Sequence, residues 1–176
     1  MKKILILAVT VILVCGGVSA QHGHGNCGNC PHHAKHQAQQ AQVQKQPTEE
    51  EVIAAVFPTK KSTKAKGKWN AVYDNAGKLL GYTVNSRPES AEIRGYAGET
   101  PVLIVFDAKK VITGVYLLPN QETPNFVKRV ESEGFFKNWN GLTVKQAKKK
   151  EVDTVSGATF TSRAVAQSVK AVLEKL

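Results

Sequence analysis

The run of residues best suited to chemistry lies near the end of the chain, just before a predicted helix. It reads Asp153-Thr154-Val155-Ser156-Gly157-Ala158-Thr159-Phe160-Thr161-Ser162. Gly157 and Ala158 allow the backbone to approach a ligand closely. Hydroxyl side chains crowd the start of the helix, at Ser156, Thr159, Thr161 and Ser162. Unpaired amides and the positive end of the helix dipole favour a phosphate there. The residues alone fit phosphate binding and simple N-capping by a serine or threonine about equally well.

A second group of reactive side chains lies within residues 21–48. Thiols and imidazoles at this density suit Zn²⁺, Cu or Ni²⁺. The candidate metal ligands are Cys27, Cys30, His22, His24, His32, His33 and His36. Pro31 stands where a c-type haem site needs a histidine, so we exclude haem attachment. A local disulfide or an inert tether are the alternatives to a metal site.

The chain divides into three parts by composition. Residues 1–20 have two lysines, an apolar run and then small residues, which is the layout of a secretory signal peptide. Residues 21–48 have few apolar side chains to bury and are interpreted as a disordered tether rich in Cys, His and Gln. Residues 49–176 form the predicted folded domain. Export places the protein in the periplasm or on the extracytoplasmic face of the inner membrane.

The net charge is strongly basic, at +10 for the 176-residue chain. Removing residues 1–20 takes away two lysines and no acid, so the formal charge falls to +8. Export argues against nucleic acid as the partner of this charge. Most lysines fall in stretches that resemble linkers, around residues 60–68 and 145–150, and a solvated surface is the simpler interpretation.

Hydrophobic periodicity predicts an α+β fold, an antiparallel sheet with flanking helices. A capping box at Thr48 and Glu51 begins the first helix. Two strand pairs follow, within residues 69–84 and 100–118, and the second is apolar on both faces, as in strands covered by helices. Helical spacing appears over residues 126–139 and again over residues 162–176.

The 153–162 run resembles the flavinylation signature of the FMN-binding domain family. That family includes the C subunit of the sodium-pumping NADH:quinone reductase, the G subunit of the Rnf complex and the periplasmic part of nitrous-oxide-reductase regulators. Its members carry FMN joined through the phosphate to the hydroxyl of the final threonine. The matching residue is Thr159, and the leading acid matches Asp153. The positions between them match at Ser156, Gly157 and Ala158, and Thr161 follows on the same helix start.

The resemblance extends upstream over about residues 69–176. Residues 95–101 are similar to the family's Gly-Tyr-x-Gly entry to a strand, and residues 112–115 to its next strand. Glu122, Thr123 and Pro124 are similar to its Glu-Thr-Pro turn, which lies beside the flavin. Many members continue with glycine after this turn, whereas Asn125 and Phe126 follow here, so the flavin pocket is expected to differ locally.

The resemblance implies an electron carrier with covalent FMN, working between a membrane-bound redox protein and an extracytoplasmic acceptor. It also implies a separate FAD:protein FMN transferase that uses Mg²⁺ and takes this chain as its substrate. We therefore expect an electron-transfer flavoprotein more than a stand-alone enzyme, because the cofactor carries the redox chemistry.

Two alternatives stay open at this point. One is an exported metal-binding protein in which the Cys/His segment does the work. The other is a non-covalent flavoprotein with reductase activity of its own. A Ser-His-Asp hydrolase is excluded because every histidine lies in residues 21–48, and no dinucleotide-binding fingerprint is present.

Overall fold

The computed structural model describes residues 45–176. Within them a five-stranded antiparallel sheet has the order β1-β2-β3-β4-β5. The strands are β1 (Lys60–Lys66), β2 (Trp69–Asp74), β3 (Leu79–Asn85), β4 (Val102–Asp107) and β5 (Ile112–Leu117). The helices are α1 (Glu49–Val56), α2 (Arg87–Ser90), α3 (Pro124–Ser132), a 3-10 helix (Phe135–Trp139), α4 (Val144–Ala147) and α5 (Thr159–Glu174). The predicted α+β class, with an antiparallel sheet and flanking helices, is confirmed.

The core lies on both faces of β4, whose first five residues are all buried. One face packs against α3, the 3-10 helix, α4 and α5 through residues such as Ile104, Phe106 and Val165. The other face packs against α1 through Leu103, Val105 and Ile53. This two-sided burial explains why the strand reads as a continuous apolar run.

Three predicted elements form close to their predicted positions. Helix α1 begins with the predicted capping box, in which Thr48 and Glu51 bond each other's backbone amides. Strands β2 and β3 form the predicted hairpin. Helix α5 begins at Thr159, three residues before the predicted start at Ser162.

Two predictions need correction. The lysine-rich stretch around residues 60–68 is not a linker: it forms the edge strand β1, which pairs with β2 from Lys60 to Lys66. The predicted helix over residues 126–139 is two helices, because Gly134 adopts φ +66° and ends the first one. The short helices α2 and α4 have no counterpart in the prediction.

Candidate functional site

The 153–162 run leads directly into helix α5 and leaves its first amides without a side-chain cap. Ala158 occupies the N-cap position, and no side-chain cap hydrogen bond forms there. Simple N-capping by a serine or threonine, one of the two interpretations of these residues, is therefore wrong. The arrangement favours an anionic group at this helix end, since the first amides of a helix lack intrahelical acceptors.

Ser162 fixes the loop to the helix from the inside. Its Oγ accepts a hydrogen bond from the Val155 amide at 3.0 Å and donates to the Ala158 carbonyl at 3.0 Å. The Ser162 side chain is fully buried. This hydroxyl therefore sets the path of the backbone around Gly157 and Ala158 and faces the interior of the protein.

Glu122 is a buried carboxylate that joins three parts of the chain. It accepts hydrogen bonds from the amides of Tyr96 (3.1 Å), Ala97 (2.7 Å) and Gly98 (2.8 Å). It also accepts a short hydrogen bond from the hydroxyl of Thr161 on α5. Only 6 % of its surface is exposed. The carboxylate thereby holds the 95–98 loop against the start of α5.

The same hydrogen bonds determine the charge state of Glu122. Burial alone raises the pKa of this carboxyl, but the Thr161 hydroxyl and the three loop amides together lower the pKa below its ordinary value of 4.5. The group is therefore ionised at neutral pH. Gly95 is required beside it, because a Cβ at that position would lie 2.7 Å from the Glu122 carboxyl carbon.

Arg129 reaches the 153–162 run from helix α3. Its Nε donates a hydrogen bond to the Ser156 carbonyl. Gly157 has φ +76°, a conformation that L side chains rarely adopt, and a Cβ there would lie 3.2 Å from Arg129 Nε. The glycine thus allows the turn and leaves room for the guanidinium beside it.

A small cleft of about 100 Å³ surrounds Thr159. It is lined by Tyr96, Phe126, Gly157, Ala158, Thr159, Phe160 and Thr161. The Tyr96 and Phe126 rings meet edge to face at 4.9 Å. Across residues 45–176, the two large hydrophobic side chains that are exposed are Tyr96 (63 %) and Phe160 (62 %), and both border this cleft. Exposed rings around a hydroxyl suit a ligand that combines a phosphate with a flat aromatic system.

The predicted site residues are partly brought together. Thr159 is half-buried in the cleft, and Gly157, Ala158 and Thr161 line it with Thr159. Ser156 is exposed, with its carbonyl held by Arg129. Asp153 is exposed at the start of the loop and does not line the cleft.

The Glu-Thr-Pro turn contributes to the site through the residues that it bonds and positions. Glu122 reaches the helix start through the Thr161 hydroxyl. Thr123 is the N-cap of α3 without a side-chain cap bond, and Pro124 is the first residue of that helix. The turn therefore starts the helix that carries Phe126 to the cleft and Arg129 to the loop.

Three residues at the site were missing from the prediction: Tyr96, Phe160 and Arg129. Phe126 was predicted to alter the flavin pocket locally, and it lines the cleft. Phe160 had a local signal, since it interrupts a run of small and hydroxyl residues with a large apolar side chain. Tyr96 had a local signal in its position directly after Gly95 and two residues before Gly98. Arg129 is 27 residues from Ser156 in sequence, and no local pattern marks that contact.

An uncapped helix start, exposed aromatic rings and a threonine in the same cleft fit FMN. Residues 95–174 match the model of the FMN-binding domain family. This part of the chain belongs to that family. The matched stretch includes the cleft, Glu122, Arg129 and all of helix α5.

Curated relatives of the FMN-binding domain are parts of ion-translocating complexes. The chain is 34 % identical over 107 residues to the G subunit of the Na(+)-translocating ferredoxin:NAD(+) oxidoreductase complex of Acetobacterium woodii, covering 53 % of this chain and 47 % of that one. It is 29 % identical over 125 residues to the G subunit of the ion-translocating oxidoreductase complex of Aliivibrio fischeri, covering 62 % and 58 %. The chain thus spans about half the length of the curated relatives it matches.

A solved structure with some likeness is that of NqrC from Shewanella oneidensis. The identity is 21 %, the TM-score is 0.39, and the match covers 70 % of this chain and 71 % of that one.

Several predictions fall outside the described residues. The signal peptide (residues 1–20), all but the last four residues of the tether (21–48) and every candidate metal ligand among Cys27, Cys30 and the five histidines precede residue 45. Among residues 45–176, no group of three or more His, Cys, Asp or Glu side chains is placed to hold a metal ion. None of the helices in that part of the chain is long and apolar enough to cross a membrane.

Proposed function

We propose that the chain is an exported electron-transfer flavoprotein that carries FMN covalently on Thr159. The observation that carries the proposal is the cleft. Thr159 is the first residue of a helix without a side-chain cap, and it lines the cleft together with the two large hydrophobic side chains that are exposed in the described part of the chain.

Attachment is a phosphoryl transfer to the Thr159 hydroxyl. The Thr159 oxygen forms a bond to the FMN phosphorus of FAD, the bond to the AMP half breaks, and AMP leaves as the hydroxyl proton is released. Thr159 is a half-buried residue and lines the cleft. A FAD:protein FMN transferase with Mg²⁺ is the proposed partner for this step, and the exposed Asp153 is part of the signal that it recognises.

The residues of the cleft then have separate tasks. The first amides of α5 would hold the phosphate, and the dipole of the helix would stabilise its negative charge. Tyr96, Phe126 and Phe160, which line the cleft, would contact the aromatic ring. When bound, FMN supplies one-electron and two-electron redox chemistry. Ser162 and Glu122 keep the loops in place and do not contact the reacting atoms.

The proposed route of electrons runs from a membrane-bound redox protein to an extracytoplasmic acceptor. Two features support it: residues 1–20 have the layout of a signal peptide, and the curated relatives are named as subunits of ion-translocating oxidoreductases. The Cys/His segment stays a sequence-based prediction of a transition-metal site.

The test is the flavin fluorescence of the denatured chain, purified from its native host and separated on a denaturing gel. We expect fluorescence from the wild type and from Thr159→Ser, none from Thr159→Ala, and an unchanged signal from Thr154→Ala, which removes another hydroxyl of the same loop. A fluorescent Thr159→Ala band would refute attachment at this residue. Flavin that dialyses away from the wild type would indicate non-covalent binding instead.

A further inference from the structure

The edge of the sheet at β1 is unusually basic. Residues 59–68 contain five lysines and no acid. Lys68 pairs with Glu89. Within residues 45–176 the other salt bridges are made by Arg87 and Arg94 with Glu99, so the remaining lysines of this stretch have no carboxylate partner there.

Three lysines, two from strand β1 and one from the turn between β4 and β5, lie over three aromatic rings on this part of the sheet. The Nζ of Lys64 is 5.7 Å and that of Lys66 5.9 Å from the centre of the Tyr73 ring. The Nζ of Lys110 is 4.3 Å from the Trp69 ring and 5.6 Å from the Tyr82 ring. We call these six residues the lysine–aromatic platform: Lys64, Lys66, Lys110, Trp69, Tyr73 and Tyr82.

The rings of the platform are anchored in the protein but not enclosed by it. Trp69 meets the core residue Phe106 edge-on at 4.9 Å and Tyr82 at 5.6 Å. All three rings are half-buried, while the three lysines are exposed. The Tyr73 hydroxyl beside Lys66 raises the pKa of that ammonium, which therefore stays charged at any physiological pH.

We propose that the lysine–aromatic platform docks the domain on an anionic lipid bilayer. Half-exposed Trp and Tyr rings partition into the headgroup region, where their apolar part and polar tip are both accommodated. Lysine stems lie along apolar surface while their ammonium groups contact lipid phosphates. The platform presents both kinds of side chain on one surface, and none of its lysines forms a salt bridge within residues 45–176, so its charge is complementary to acidic headgroups.

The chemistry of the side chains favours lipid over an acidic protein. A patch that recognised carboxylates alone would need the lysines and not three half-buried aromatic rings beside them. Docking at this surface does not depend on FMN attachment, because the six residues are separate from those that line the Thr159 cleft.

The test uses the full chain from its native host and vesicles of phosphatidylglycerol or phosphatidylcholine. We expect binding to the first at low ionic strength, weaker binding as salt is added, and little binding to the second. Replacing Lys64, Lys66 and Lys110 by Glu should weaken binding by more than about a hundredfold, because each lost lysine charge costs about fivefold and each new carboxylate adds repulsion. The matched control replaces the exposed Lys128, Lys137 and Lys175 by Glu, with the same change in charge and an expected loss of only a few-fold.

A second readout locates the contact. Brominated lipid in the vesicles should quench the fluorescence of Trp69, whereas Trp139 is 2 % exposed in the core and should be spared. If the triple variant does not fold, Lys64→Gln and Lys110→Gln are each measured alone, with about fivefold weaker binding expected.

Equal loss of binding in the two triple variants, or bound protein with unquenched Trp69, would overturn the proposal. Retention on a polyglutamate resin without binding to phosphatidylglycerol vesicles would show that the platform binds an acidic protein, and would also overturn the proposal of lipid docking.

Discussion

The Thr159 cleft and the lysine–aromatic platform use polar side chains in opposite ways. At the cleft, Glu122, Thr161 and Ser162 are buried and hydrogen-bonded inside the protein. At the platform, lysines such as Lys64 are exposed and lie over aromatic rings. The stability of the first region depends on individual hydrogen bonds, because a buried polar group without a partner is destabilising. The proposed binding by the second region depends on charge and ring area, to which several residues contribute.

The largest loss of folding stability is expected for Glu122→Ala. This change leaves three loop amides and the Thr161 hydroxyl without their common acceptor. The free energy of unfolding should fall by about 3–5 kcal/mol. Urea denaturation measures it.

Glu133→Ala is the matched control, since Glu133 is an exposed acid at the end of α3 and should shift the free energy of unfolding by less than about 0.5 kcal/mol. A loss below about 1 kcal/mol in Glu122→Ala would mean that the carboxylate does not hold the loop and the helix together.

A pair of glycine substitutions separates backbone strain from the Arg129 contact. Gly67 has φ +63° with nothing within 4 Å of an added Cβ, so Gly67→Ala should cost about 1 kcal/mol of strain. Gly157→Ala has the same strain, and it also displaces a guanidinium that is hydrogen-bonded to Ser156. We expect it to cost at least about 1 kcal/mol more in urea denaturation. Equal costs would show that the Arg129 contact contributes nothing.

The pH dependence of stability should report Glu122 as well. Its pKa is lower in the folded state than the ordinary 4.5, so the folded protein binds fewer protons than the unfolded chain in that range. The stabilisation is complete above pH 4.5 and is lost as the pH falls through the lower, folded-state pKa. The difference in free energy of unfolding between the wild type and Glu122→Gln should therefore shrink at acidic pH. A difference that grows on acidification would contradict the assignment.

The smallest loss of folding stability is expected for a substitution in the lysine–aromatic platform. Lys64→Gln removes one exposed contact with the Tyr73 ring and should change the free energy of unfolding by less than about 1 kcal/mol. Thermal unfolding in parallel with the wild type is sufficient to measure it. A larger loss would show that the platform is a stability element of the fold, like the Glu122 network.

Sequence patterns were sufficient to predict the helices and strands whose signals are local. The capping box at Thr48, the β2–β3 hairpin and the amphipathic α5 each carry their own periodicity or cap. Strand β1 was missed because its lysines resemble a solvated linker. The strand exists because β2 offers a partner edge, and lysines are common on edge strands because they discourage pairing with other chains.

The site divides in the same way. The 153–162 run and its helix start could be predicted locally, from small and hydroxyl residues in sequence. The bond between Thr161 and Glu122 joins residues 39 apart, and the contact of Arg129 with Ser156 joins residues 27 apart. Such contacts arise from the packing of α3 against α5, which no local pattern contains.

The most direct test of the account is peptide mass spectrometry of the protein from its native host. Trypsin cleavage after Lys150 and Arg163 releases residues 151–163, which contain every hydroxyl of the 153–162 run. We predict that this peptide is heavier by one FMN group and that fragmentation places the added mass on Thr159. An unmodified peptide, or the added mass on Thr154, Ser156, Thr161 or Ser162, would contradict the central claim.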